Sequence, residues 1–296
     1  MFSLIEILGT STPEINLLDI GAMIEDEPRY APIYHSGYAK LTLVEPNRES
    51  YEKLKKAFGD ETRILNIFLG NGKKATIYVT YYPGCTSIFK PDPSVIDKFF
   101  SINTGPKSNF EVIKTETVKT VRLDDISPKT NYDYIKLDIQ GSELMVLQNG
   151  IDNLKNTLVV ESEAEFIPIY KDQPLFGDIQ IFMQEQGFIF HKFIDIASRC
   201  FKPMSFSDNV CEGMSQLLWT DAIFIRDFKD LKNYADLDLL KTAYIMQDLY
   251  SSFDLVYFFL QEYDKRNQTP YALKYAKKLA TFSEIPKHML NLKEYV

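Results

Sequence analysis

Residues 133–150, DYIKLDIQGSELMVLQNG, limit what this chain can fold into more than any other stretch. A short apolar, β-prone run over 134–137 ends on Asp138, and Gly141 and Ser142 then break the strand. Leu144, Leu147, Ile151 and Leu154 follow at spacings of three and four, which gives one apolar helix face. Ser142 is the N-cap candidate, and Gly150 is a candidate left-handed stop or kink. A strand that delivers an acid and turns at once into a helix builds the crevice of an open α/β sheet. Ligands there sit outside the carboxyl ends of the strands. The expectation is that Asp138 and Glu143 face that crevice.

The rest of the chain supplies the other strands and helices. Residues 16–20 read as a buried strand closed by Gly21 and Ala22, and MIEDEPRYAP is a polar loop leading to a short helix near Tyr34. Residues 41–44 form a second strand ending on Glu45. Asn47 caps a helix running to Phe58, residues 63–69 are a third strand, and 75–81 are a further β run. The alternation predicts a parallel sheet with helices on both faces. Residues 82–108, rich in Pro, Gly, Ser and Asn, read as an insertion or lid. Residues 114–123 read as an exposed or edge β element, with Asp124 and Asp125 in a turn. Residues 157–160 are a buried strand leading to Glu161, Glu163 and Glu165. A helix over 175–186 stops at Gly187, and two strands cover 188–193 and 217–225. From Asp227 the pattern is helical. The expected organisation is an N-terminal segment (1–15), a main domain (16–228) and a C-terminal helical appendage (229–296). The appendage could pack on its own domain, form a homodimer interface, or cap the site.

Charge and cysteine usage narrow the partners. A net charge of -8 over 296 residues argues against a nucleic-acid partner. Cys85, Cys200 and Cys211 form no CxxC pair, which suits a reduced, cytoplasmic setting. The N-terminus lacks the basic region of a signal peptide, and no apolar run is long enough for a membrane span. His35, His191 and His288 have no metal-ligand spacing, so no metal is expected. Glu161, Glu163 and Glu165 could be a solvated acidic edge or could gather a divalent cation.

Asp19 and Glu45 lie twenty-six positions apart, each near the end of a strand. This is the layout of a nucleoside-binding βαβ unit, in which the second acid accepts both ribose hydroxyls and Gly21 lets the ligand approach the backbone. The loop between them, GAMIED, is not GxGxxG; it is acidic and is followed by Pro28, a poor cradle for pyrophosphate. S-adenosylmethionine has no phosphate and carries a positive sulfonium. Spacing alone leaves open S-adenosylmethionine, NAD or another nucleotide, and no ligand.

LLDIGA, LVEP, TVRLDDI and DYIKLDIQGSELMVLQNG together resemble the FkbM-type family of S-adenosylmethionine-dependent methyltransferases. The resemblance continues through VVESEAEFIPIYKDQPLFGDI and QLLWTDAIFIRD, and covers residues 16–227. It implies an α/β, Rossmann-like class I methyltransferase fold: a mostly parallel seven-stranded sheet with helices on both faces, here with a C-terminal helical appendage. It also implies methyl transfer, usually to a hydroxyl of a sugar, glycan or secondary metabolite. Many members read GANxG in the first loop, where this chain has Met23 and Glu25. That departure keeps a second reading open, a non-catalytic Rossmann-like binding or assembly protein with weakened cofactor affinity. Under the resemblance, Asp19 and Gly21 shape the pocket for the methionine end of the cofactor. Glu45 holds the ribose diol, Leu69 and Gly70 flank the adenine, and Asp138 sits nearest the transferring methyl. The general-base candidates are Asp138, Glu163 and His191, with Glu143 and Lys136 behind them. His191, inside FIFHKF, also has a structural reading as a mid-strand histidine. Thr86 and Ser87 either touch the acceptor or close a turn.

Overall fold

The computed structural model describes residues 2–24, 27–59, 61–205 and 207–281. Glu25 and Asp26 of the first loop, and His288, lie outside the described residues. The strands are β1 (Ile15–Ile20), β2 (Ala39–Val44), β3 (Arg63–Leu65), β4 (Phe68–Leu69) and β5 (Lys74–Thr80), then β6 (Val112–Val121), β7 (Tyr134–Leu137), β8 (Val159–Glu165), β9 (Phe188–Ser198) and β10 (Leu217–Arg226). The helices are α1 (Ile5–Leu8), α2 (Ala31–His35), α3 (Arg48–Phe58), α4 (Pro93–Ile96) and α5 (Glu143–Gln148), then α6 (Ile151–Leu154), α7 (Phe176–Glu185), α8 (Asp236–Asp248), α9 (Phe253–Asn267) and α10 (Tyr271–Ala280). Contacts divide the chain into two compact units, residues 16–26 with 41–227, and residues 1–15 with 27–40 and 228–296.

The first unit is built on a seven-stranded sheet in the order β3-β2-β1-β7-β8-β10-β9. The β2–β3, β1–β7 and β7–β8 pairs are parallel, and β10 runs antiparallel to β8 and β9. The order reverses at β1, between β2 and β7, which is the switch point where such sheets open a crevice. This is the mostly parallel, Rossmann-like seven-stranded sheet that the resemblance implies. One of its faces is apolar: Leu18, Ile20, Ile135, Leu137, Val160, Ala164, Ala222 and Phe224 are buried there with Leu144, Val146 and Leu147 of α5 and Ile179 and Met183 of α7. Strand residues alternate in direction, so packing those side chains turns Asp19, Lys136, Glu161 and Glu163 to the opposite face. The core thereby decides which face carries charge.

Several expectations change. The strand expected over 63–69 is two strands: β3 ends at Leu65, and β4 leaves for a second sheet in the order β4-β6-β5. β6 is exposed over most of its length, as expected; it pairs with β5 from Val112 to Lys119 and with β4 only at Thr120 and Val121. The segment read as an insertion or lid has a core of its own, in which Cys85, Ile96, Phe99, Ile102 and Phe110 pack with Ile169, Tyr170 and Leu218. The acids expected to follow a strand at 157–160 are inside β8. Ser142 makes no capping bond and instead donates to the Ile139 carbonyl at 3.1 Å. Gly150 kinks the chain between α5 and α6, but at φ -130. It is needed there because a Cβ would overlap the Leu123 side chain. Asn47 caps α3 as expected, accepting from the Ser50 amide at 3.1 Å.

The second unit is helical. Gln247, fully buried on α8, donates to the Phe2 carbonyl at 3.0 Å and accepts from the Tyr275 hydroxyl at 2.6 Å. Beside it Asp248 accepts the Leu4 amide at 2.9 Å. The N-terminal residues therefore belong with the C-terminal helices, and the sequence carries no local signal of that pairing. Among the described residues, no helix is long and apolar enough to cross a membrane.

Candidate active site

The site grows from the carboxyl ends of β1, β2, β7 and β8. β1 delivers the buried Asp19 and then Gly21, whose φ of +89 is a backbone conformation that favours glycine. The amides of Gly21 and Ala22 donate to the Val44 carbonyl at 2.9 and 3.2 Å, and the Asp138 amide donates to the Ile20 carbonyl at 3.0 Å. β2 delivers Glu45, which is buried. Its Oε1 accepts the Asn47 amide at 2.6 Å, and among the described residues Oε2 accepts no hydrogen bond. Burial pushes the Glu45 carboxyl up to about 7; the Asn47 N–H opposes this and Asp19 adds to it. Asn66, just past β3, donates to the carbonyls of Glu45 and Pro46 at 2.9 Å each and so fixes this corner.

A charged row crosses the sheet beneath these ends. Asp19 pairs in register with Lys136, and Lys136 with Glu161, so all three side chains lie on one face. The Lys136 ammonium is 3.9 Å from Asp19 and 3.4 Å from Asp138. Burial works against that charge, but Asp138, Asp19, Glu161 and Asp221 outweigh it and raise the Lys136 pKa above the ordinary lysine value. Glu161 is fully buried and accepts the Tyr134 hydroxyl at 2.8 Å. Among the described residues, no three acidic, histidine or cysteine side chains are grouped so as to hold a metal ion.

Asp138 and Glu163 stand side by side two residues beyond this row, on the same face. Gln140 bridges them: its Nε2 donates to Asp138 Oδ1 at 3.3 Å and to Glu163 Oε2 at 2.8 Å. Burial would raise the Asp138 carboxyl, but Lys136, Glu163 and Gln140 hold it below the ordinary range. Burial raises Glu163 well above its ordinary value, with Asp138, Glu165, Glu143 and Asp221 adding to the shift. The two carboxyls therefore differ in proton affinity, which is how acid and base roles separate in such a site. Glu143 does not face an open crevice as expected. It is buried and accepts the Ile139 amide at 2.7 Å, and burial together with Glu165 raises its pKa well above normal. Burial also pushes Glu165 up to about 7, against the Gln173 side chain.

Of the remaining candidates, the structure brings Ser87 to this cluster but not His191, Leu69 or Gly70. His191 is the extra residue of a β-bulge on β9, between Phe190 and Lys192. β9 lies three strands from β7, or about 14 Å at the usual strand spacing. Leu69 is in the core and Gly70 follows β4; the Gly70 amide donates to the Val121 carbonyl at 2.9 Å, and a Cβ there would meet Thr120 at 3.0 Å. The position just past the third strand of the main sheet is Asn66. Thr86 bonds back to Thr80, while Ser87 reaches the cluster, donating to the Gln140 carbonyl at 2.6 Å. Gln140 and Tyr170 were not among the sequence candidates. The signal available for Gln140 was its place in the turn after β7, where a residue before glycine adopts φ +57.

A family model described as the methyltransferase FkbM domain matches residues 19–190, more than half of the chain. Among solved structures, magnesium protoporphyrin IX methyltransferase from Synechocystis PCC 6803 is 9% identical, with 76% of each chain covered and a TM-score of 0.37. Precorrin-6y C5,15-methyltransferase from Geobacter metallireducens GS-15 is 10% identical over 75% of this chain and 85% of that one, with a TM-score of 0.35. TrmK from M. capricolum is 13% identical over 99% and 95%, also with a TM-score of 0.35. No curated protein matches the chain. The fold rests on the sheet order itself.

Proposed function

The chain belongs to the methyltransferase FkbM domain family, and as an S-adenosylmethionine-dependent methyltransferase of that family we propose that it methylates a hydroxyl oxygen of a small-molecule or glycan acceptor. The residues at the strand ends fit the cofactor. Glu45 has a carboxylate oxygen left over for a ribose diol. The Gly21 turn runs against the Asp138 backbone, which leaves no bulk above the strand ends. The surrounding set of Asp19, Glu45, Asp138 and Glu163 is acidic, as suits a sulfonium and not a pyrophosphate. When bound, the cofactor supplies a methyl group already bonded to a positive sulfur, so the protein's part is mainly orientation. Well-oriented reactants account for roughly 7–11 kcal/mol of such a barrier.

In this reading Glu45 and Asp19 orient the cofactor and Lys136 keeps Asp138 ionised. With the cofactor bound, the Asp138–Glu163 pair would take up the proton that the acceptor hydroxyl gives off. The observation that carries the choice of oxygen is the Asp138–Glu163 pair with unequal proton affinities. An alcohol needs such an acceptor because its own proton must leave, and a placed base adds about 10²–10⁴-fold. The test is to incubate the protein with methyl-labelled S-adenosylmethionine and carbohydrate or metabolite extracts, then identify the labelled product by mass. A base-stable methyl ether is the expected product. Label on nitrogen or carbon, or as a base-labile ester, would sink this reading.

A further inference from the structure

Gln140 has more fixed partners than a turn residue needs. Its left-handed backbone, φ +57, is uncommon for a residue with a Cβ. Its carbonyl accepts the Ser87 hydroxyl at 2.6 Å, and its Oε1 accepts the Tyr170 hydroxyl at 2.9 Å. The Tyr170 hydroxyl also lies 3.0 Å from the Cys85 carbonyl, and its ring is buried in the second core against Phe110. Both ends of the Gln140 amide are therefore specified. The two acids on one side call for the NH2, which leaves the amide oxygen to accept from the Tyr170 hydroxyl on the other. Inverted, the amide would aim its oxygen at two acids.

We propose that Gln140 is a positioning residue of the transfer site. The Tyr170 hydroxyl fixes its amide, so its N–H groups hold Asp138 and Glu163 side by side and tie them to the segment carrying Cys85 and Ser87. The proposal rests on the methyl-transfer reading for what the pair accomplishes, and on geometry alone for how the pair is held. The other charged groups around the pair are Asp19 on β1, Lys136 on β7, Glu143 on α5, Glu161 and Glu165 on β8, and Asp221 on β10. None of these donates to both acids, as Gln140 does.

Carbon-detected NMR titration of the side-chain carboxyls in the full chain tests this without cofactor or acceptor. Gln140→Ala removes an N–H donor from each carboxylate. The midpoints of Asp138 and Glu163 are then expected to rise by about one pH unit, the tenfold change in proton affinity that one such bond supplies. Tyr170→Phe keeps the packed ring and removes only the hydroxyl. It is expected to move the same two midpoints the same way by about half a unit, as the amide loses its anchor. If Gln140→Ala fails to fold, Tyr170→Phe decides. A purely structural role would lower the melting temperature and leave both midpoints where they are in the parent, and that result overturns the proposal. The two claims separate cleanly. A labelled methyl on nitrogen sinks hydroxyl methylation without touching these midpoints. Unmoved midpoints alongside a methyl-ether product overturn only the positioning role.

Discussion

Gly21 and Asp138 meet backbone to backbone where β1 and β7 end: a Cβ on residue 21 would overlap the Asp138 carbonyl oxygen and crowd the Ile139 side chain at 3.2 Å. The position also has φ +89. Gly21→Ala therefore combines strain of about 1–3 kcal/mol with a forced shift of the strand ends. It should lower the urea midpoint and weaken S-adenosylhomocysteine binding, read by calorimetry, by at least about tenfold, the equivalent of about 1.4 kcal/mol. Gly177→Ala is the control. Residue 177 lies in α7 with ordinary φ and nothing within 4 Å of a Cβ, so it should be neutral or mildly stabilising.

The proposed ribose contact at Glu45 predicts a cofactor affinity that depends on pH. With its carboxyl at about 7, much of the apo protein is protonated there in mildly acidic buffer. A diol donates hydrogen bonds to the anion, so binding selects the ionised form and releases a proton below that value. Affinity for S-adenosylhomocysteine should rise between about pH 6 and about pH 8, with proton release detectable by calorimetry in buffers of different ionisation heat. Glu45→Gln should flatten the profile and cost about 10–100-fold in affinity. A flat profile in the parent protein would remove Glu45 from the ribose.

Asp138→Asn and Glu163→Gln should separate charge from proton transfer. Asp138 is held ionised next to Lys136, whereas Glu163 has the raised proton affinity. Glu163 holds its proton, so Asp138 is the available base: Glu163→Gln should leave cofactor affinity nearly intact and lower turnover less than Asp138→Asn, which should cost about 10²–10⁴-fold. Asp138→Asn should weaken cofactor binding as well, since it removes a negative charge close to where the sulfonium would lie. Equal losses of turnover and affinity in both variants would contradict this division of roles.

The sheet was legible in the sequence because its strands are buried on a face that the apolar pattern marks. The run before Asp138 and the acids at 19 and 45 could be located from period and spacing alone. What failed depended on partners distant in the chain. Leu69 looked like the end of the third strand, but β4 pairs with β6, some fifty residues on. Glu143 read as a crevice acid because nothing local announces the Ile139 amide it accepts. His191 had a suitable side chain, but only the strand order puts it at the far edge. Gln140 was missed because its importance lies in Tyr170 and Glu163, thirty and twenty-three positions away.

Stability without cofactor should fall as pH rises from about 4.5 to about 8. Glu45 and Glu165 are both pushed up to about 7, and Glu143 and Glu163 are raised well above the ordinary value. The folded state thus binds more protons than the unfolded state across this window, and linkage makes unfolding easier as pH rises. Glu165→Gln removes one of these groups, and Glu165 Oε2 is buried with no hydrogen-bond partner. The variant should gain about 1–2 kcal/mol over the parent near pH 8 and nothing near pH 4. Urea titrations at the two values provide the check, and a parent protein that grows more stable over this range would contradict the assignment.

Lys136→Met should be the most damaging single change on the charged face. The lysine side chain is 18% exposed and stands between Asp19 and Asp138, with Glu161 opposite it in register. Methionine matches its length and would pack well, so any loss comes from the acids it abandons and not from a void. Removing one partner of a buried ion pair typically costs about 3–5 kcal/mol, because the remaining charge has no answer. Asp19 and Asp138 would regain neutrality by taking up protons. The variant should therefore recover much of its stability in acid, below about pH 5, where protonated carboxyls no longer repel. Lys136→Arg tests geometry against charge: it keeps the cation but replaces a point charge with a planar fork, so it should retain stability better than methionine does. If methionine and arginine prove equally stable at neutral pH, the row is not held by charge.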